Sequence, residues 1–139
     1  MKLLLVRVEL ISAIKSNQNA FDLDLPDDVV ERLADYYELV LEHNPLLHLV
    51  GPCSHSEFAI RHILESLTLL EYLPRSAKLA DIGAGAGLPS IPCLLARDDL
   101  RAVLIESKEK KTKFVDEAVK NLGLKSQAEI VNRQFEEAD

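Results

Sequence analysis

Hydrophobic positions along this chain follow two different periods, and the change between them falls at Pro74. Before Pro74 the period is helical. Residues 3–15 form an apolar opening predicted to be a helix. Leu25-Pro26-Asp27-Asp28 reads as a helix start, with an aspartate at the cap and more acid in the first turn. Val29, Val30, Leu33, Ala34, Tyr37, Val40 and Leu41 then share one face of that helix. Asn44-Pro45 is expected to end it, and Gly51-Pro52 marks a loop. A second amphipathic helix is predicted from Ser56 or Glu57 to Tyr72. Its apolar face carries Ile60, Ile63, Leu64, Leu67 and Leu70, and its polar stripe Glu57, Arg61, Glu65 and Thr68.

After Pro74 short apolar runs alternate with amphipathic stretches. They predict strand 78–82, helix 88–97, strand 102–106, helix 109–122 and strand 128–132. Lys78-Leu79-Ala80-Asp81-Ile82 reads as a buried strand. Phe114, Val115, Ala118, Val119 and Leu122 give the second crossover helix its inward stripe, and Gly123 caps it. Strand-helix-strand-helix-strand builds a parallel sheet by right-handed crossovers. The fold class is therefore α/β: a helical segment over residues 1–74, then part of a Rossmann-like parallel sheet over 75–139, in one compact unit.

Composition narrows this picture without changing it. With 139 residues, 47% hydrophobic and 28% charged, the chain is an ordinary globular domain. Arg7 and Glu9 break the apolar opening and no cleavage site follows, so it does not read as a signal sequence. No stretch approaches a membrane span. Cys53 and Cys93 lie too far apart for a disulfide framework, and His43, His48, Cys53 and His55 match no standard metal spacing. A reducing, cytoplasmic setting follows. The net charge of −7 argues against a broad basic face for nucleic acid, though not against a local basic patch.

The chemistry concentrates at the end of the first strand. Asp81-Ile82-Gly83-Ala84-Gly85-Ala86-Gly87 closes it and opens a helix, with glycines at 83, 85 and 87 where the backbone turns tightly and a ligand approaches. The next strand, Ala102-Val103-Leu104-Ile105, ends in Glu106, placed where a carboxylate accepts hydrogen bonds from both hydroxyls of a ribose. Leu88 stands where a dinucleotide fingerprint needs its third glycine, which disfavours a nicotinamide cofactor. The Asp-x-Gly-x-Gly-x-Gly order instead resembles the first motif of S-adenosylmethionine-dependent methyltransferases.

Further segments sharpen the resemblance. Arg61-His62-Ile63-Leu64-Glu65-Ser66, the run Ala80 to Pro89, Ile105-Glu106-Ser107 followed by Lys110-Lys111, and Arg133 with Glu136-Glu137 are together similar to the ribosomal RNA small subunit methyltransferase G family, also called glucose-inhibited division protein B. Asn44 and Leu49 fit the stretch that precedes the RHIL segment. The family's aspartate in RHILDS is Glu65 here, and its Pro-Gly after the glycine turn is Pro89-Ser90. Its Trp-Asn is His43-Asn44, and its Asn-Leu-Thr is His48-Leu49-Val50. Family members continue through several more strands, so the chain is expected to hold only the first half of the methyltransferase sheet, truncated at the C-terminus.

The resemblance implies methyl transfer from S-adenosylmethionine to N7 of a guanine in 16S ribosomal RNA. A sulfonium methyl is already activated and N7 has a free lone pair, so no catalytic acid or base is nominated. Asp81, Gly83, Gly85, Gly87, Leu88 and Glu106 are the implied cofactor residues, with Gln134, Phe135 and Glu136 near the adenine. Arg133 to Glu137 is one residue longer than the family's Arg-x-Glu-Glu. Arg61, His62, Lys110 and Lys111 are the implied RNA contacts. From periodicity alone, Glu57, Arg61 and Glu65 read as a surface salt-bridge ladder, and the lysines after 107 as a solvated face. The alternative function is a non-catalytic remnant that binds the cofactor weakly, or a module that self-associates through the uncovered sheet edge.

Overall fold

The computed structural model describes residues 2–134. Helix α1 (Lys2–Asn17) leads through a short 3-10 turn (Gln18–Phe21) to α2 (Asp27–Leu47). A continuous helical segment, α3, follows over residues 55–72. The sheet half comprises β1 (Lys78–Ile82), α4 (Ser90–Ala96), β2 (Arg101–Glu106), α5 (Glu109–Asn121) and β3 (Ala128–Asn132). The three strands are parallel in the order β1-β2-β3.

Right-handed crossovers put α4 and α5 on one face of this sheet. Leu79, Ala102, Leu104, Ala128 and Ile130 lie on that face and join the core. Helix α2 crosses both α4 and α5, and α1 packs outside against α2 and α3. The side chain of Gln127 ties the layers at one corner, its Nε2 donating to the carbonyls of Leu94, Arg97 and Leu100 at 3.0 to 3.2 Å. The last carbonyls of α4 thereby find a partner.

Several sequence expectations need correcting. β1 is not a buried strand: Lys78, Ala80 and Ile82 are exposed, Ile82 by 52%. It lies at the sheet edge and bonds a neighbour on one side only, and its second face is open. No aspartate caps α2. Pro26 occupies that position without a side-chain bond, its fixed φ suiting the entry, and Asp27 and Asp28 fill the first turn. Pro45 does not end the helix, which runs on to Leu47. So near the C-terminus, a missing N–H forfeits one bond, and His48 at φ +50 closes the turn by donating to the Asn44 carbonyl.

Helix α3 begins earlier than predicted. Ser54 forms a capping box with Glu57, so the helix starts at His55 and not at Ser56 or Glu57. Its middle, Phe58–Leu64, winds as a π-helix, which turns Phe58 and Ala59 inward beside Ile63 and Leu64. The wider turn also breaks the expected ladder. Arg61 meets Glu57 at 3.7 Å, and no Arg61–Glu65 pair closes among the described residues. Helix α4 is shorter than 88–97, because Gly87-Leu88-Pro89 is still turning.

Candidate functional site

The site is built where β1 and β2 end side by side. In register, Asp81 pairs Leu104 and Ile82 pairs Ile105, so the residues after Ile82 and the carboxylate of Glu106 emerge at one edge. The carbonyl of Ile105 accepts from the amides of both Gly83 and Ala84, at 2.8 and 3.1 Å. The chain then turns through Gly83 at φ +73, Gly85 at +52 and Gly87 at +84. Ala84 and Ala86 point into the core, while Gly83 and Gly85 face out. A Cβ built on Gly83 would meet nothing within 4 Å, so open space lies directly over the backbone.

Glu106 sits against this turn. Its Oε1 accepts from the Gly85 amide at 2.9 Å and its Oε2 from the Lys108 amide at 2.8 Å. Only 7% of the residue is exposed. A carboxylate offers about four lone-pair sites, so two remain for another donor. Asn132, in register with Glu106, donates to the Thr112 hydroxyl at 3.0 Å, which fixes the end of β3 beside them. Gln134 follows directly; Phe135 and Glu136 lie outside the described residues.

Asp81 faces the other way, toward the start of α4. Its Oδ2 accepts from the Ser90 hydroxyl at 2.6 Å. Burial pushes its carboxyl above the usual range, and the Ser90 bond pulls in the opposite direction. Asp81 thus braces the far side of the turn. Leu88 is half-buried and packs on the core.

Tyr36 also supports the turn, and periodicity did not reveal it. This wholly buried residue of α2 donates from its hydroxyl to the Ala86 carbonyl at 2.6 Å. Burial, and then the charge of Asp81, push its phenol well above the ordinary tyrosine range. The phenol therefore keeps its proton and remains a donor. The signal in the chain is weak: Tyr36 only adjoins the apolar stripe that carries Tyr37, and a buried tyrosine needs a partner for its hydroxyl. Tyr37 next to it makes a different bond, 2.5 Å from Nδ1 of His55, and its phenol is pushed up to about 12 by burial first.

This pair gives a controlled test. Tyr36→Phe is expected to speed amide exchange at Gly85–Leu88 about tenfold, the loss of roughly 1.4 kcal/mol of local support. Tyr37→Phe removes a hydroxyl of the same kind and is expected to leave that segment unchanged. Exchange monitored by mass spectrometry checks both.

The remaining candidates are placed on two helices. His62 stands edge-on to Phe58, with centroids 5.1 Å apart, and Phe58 lies 6.4 Å from Tyr36, so α3 is packed to the glycine turn through aromatic rings. Arg61 projects to solvent and meets Glu57. Lys110 and Lys111 occupy the first turn of α5, two and three residues after the amide that holds Glu106. Cations there oppose the helix dipole, and Glu109, paired to Lys113 at 3.6 Å, offsets them in part.

Comparison with known proteins adds a family. Residues 29–139 match the family described as rRNA small subunit methyltransferase G. A relative named ribosomal RNA small subunit methyltransferase G from Pelotomaculum thermopropionicum is 37% identical over 117 residues, covering 83% of this chain and 49% of its own. Another of that name, from Sorangium cellulosum, is 40% identical over 108 residues, or 76% of this chain and 45% of its own. The chain spans about half the length of these curated relatives. Among solved structures, the C-terminal domain of precorrin-6Y C5,15-methyltransferase from Rhodobacter capsulatus is similar at 24% identity and a TM-score of 0.46, over 61% of this chain and 42% of that one.

Proposed function

This chain belongs to the ribosomal RNA small subunit methyltransferase G family, and on that footing we propose that it binds S-adenosylmethionine for methyl transfer to N7 of a guanine in 16S ribosomal RNA. The observation that carries the reading is the carboxylate of Glu106 seated 2.9 Å from the Gly85 amide, at the edge where β1 and β2 end. Spare lone pairs on Glu106 would take the ribose hydroxyls. Gly83, Gly85, Gly87 and Leu88 would lie along the ribose and methionine part, since no Cβ fills the space over Gly83. Gln134, and by resemblance Phe135 and Glu136, would approach the adenine.

When bound, the cofactor supplies a methyl already activated on a sulfonium. Guanine N7 has a free lone pair, so no residue need move a proton. The task left to the chain is orientation: Glu106, with Asp81 and Tyr36 bracing the turn, fixes the donor's position in space. Arg61 and His62 on α3, and Lys110 and Lys111 on α5, would engage phosphate and base edges of the RNA. The setting is the cytoplasm, with the small ribosomal subunit as partner.

The test is incubation of the chain with labelled S-adenosylmethionine and 16S ribosomal RNA or small subunits lacking the modification. Label recovered as 7-methylguanine is the expected result. Cofactor binding without transfer would support the second reading, a non-catalytic remnant. One observation favours a self-associating form of that remnant: β1 has an unpaired outer edge, and Ala80 and Ile82 stand exposed on the open sheet face. A sedimenting dimer that Ile82→Lys dissolves would bear that out.

A further inference from the structure

Four large apolar side chains crowd the first two turns of α1 on the outside of the molecule. Leu3, Leu4, Leu5 and Val8 are each 54 to 63% exposed. That end of the helix is apolar nearly all round, a pattern that ordinarily demands burial. Beside it runs an open groove of about 700 Å³ between α1 and the outer face of α2, with Leu3, Leu39 and Leu41 as its apolar lining and Asp35, Glu38 and Glu42 as its acidic wall. Patches of this kind on a monomer mark interaction sites.

The charges decide which partner fits. Arg7 reaches from α1 into the acidic row and bonds Glu31 at 2.6 Å, Asp35 at 2.8 Å and also Glu38. Among the described residues it is the one cation paired with these three carboxylates. Glu42 has no ion pair among the described residues, and Lys2 is the only other cation on this part of α1. The groove therefore keeps a negative excess beside its apolar patch. RNA phosphates and acidic lipid are repelled by it. A second copy of a chain with net charge −7 would bring the same acids to the contact.

We infer that the α1–α2 groove docks a basic amphipathic helix of another protein, its leucine-like face on Leu3, Leu39 and Leu41 and its lysines or arginines against Asp35, Glu38 and Glu42. This is helix-in-groove recognition with charge setting the register. The bond pattern of Arg7 shows on which side the partner's cations would lie. The surface is on the outer helical layer, and the inference does not depend on the methyltransferase reading.

Fluorescence anisotropy of a labelled leucine-lysine amphipathic peptide of about fourteen residues tests it on the full chain. Binding is expected to weaken about tenfold in Leu3→Ser and severalfold in Glu42→Lys. Ile82→Ser, on the open sheet face, is expected to bind as the parent does. All three changes are at exposed positions, and thermal melts verify that each variant folds. A peptide with glutamates in place of the lysines is expected not to bind. Equal affinity for both peptides, or indifference to the α1 and Glu42 substitutions, would overturn the inference. So would a dimer that Leu3→Ser dissolves, or phosphatidylserine vesicles captured through the same residue.

Discussion

Gly87→Val is expected to destabilise this chain by about 3 kcal/mol or more. Two costs combine at this position. The backbone stands at φ +84, where a β-branched residue is strained. A Cβ would also fall 2.3 Å from Cδ1 and 2.8 Å from Cγ1 of Ile91. Ile91 cannot give way: it is wholly buried, and its own amide donates to the Gly87 carbonyl at 2.7 Å. Gly83→Ala provides the contrast, because its Cβ meets nothing and only backbone strain of about 1–2 kcal/mol remains. Urea unfolding followed by circular dichroism should separate the two variants clearly. Equal losses would mean that the turn does not lie against α4 as described.

The second large effect is on binding. Glu106→Ala removes the acceptor of two backbone amides, Gly85 and Lys108, along with the proposed grip on the ribose. Lys108 is an exposed residue, so the stability cost is expected to stay near 2 kcal/mol. Affinity for S-adenosylmethionine should fall about a hundredfold, since hydrogen bonds to a charged acceptor contribute about 1.5–3 kcal/mol each. Glu106→Gln keeps one carbonyl acceptor and is expected to fall between. Isothermal titration of the folded variants measures both. A loss of stability with no loss of affinity would make Glu106 a brace for the turn and nothing more.

How much could be read beforehand varied with what covers each element. The inward stripe of α5, Phe114 to Leu122, was legible because one face of a crossover helix always packs on its sheet, and all five residues are buried. Glu106 and the glycine turn were legible as neighbours for a similar reason: adjacent parallel strands end at the same edge. Burial of β1 was not legible. An apolar run such as Leu79 to Ile82 does not reveal whether a neighbour covers its second face, and here that face is open.

Local exceptions escaped for their own reasons. Pro45 is a helix breaker by type, yet so near the helix end its effect is one lost bond. The π-helical turn at Phe58–Leu64 leaves no mark on a period counted at 3.6 residues, so Phe58 and Ala59 went unassigned to the buried face. Periodicity places Tyr37 on the inward stripe of α2 and leaves Tyr36 off it, yet both are buried. Only packing shows that one hydroxyl reaches Ala86 and the other His55.

The central claim is that Glu106 and the glycine turn jointly hold the sugar of the methyl donor. S-adenosylhomocysteine and its 2′-deoxy analogue, each titrated into the parent chain and into Glu106→Ala, test it most directly. In the parent, loss of the hydroxyl is predicted to weaken binding about ten- to a hundredfold; in the variant the two ligands should bind alike. A deoxy penalty that is undiminished when Glu106 is gone would contradict the account.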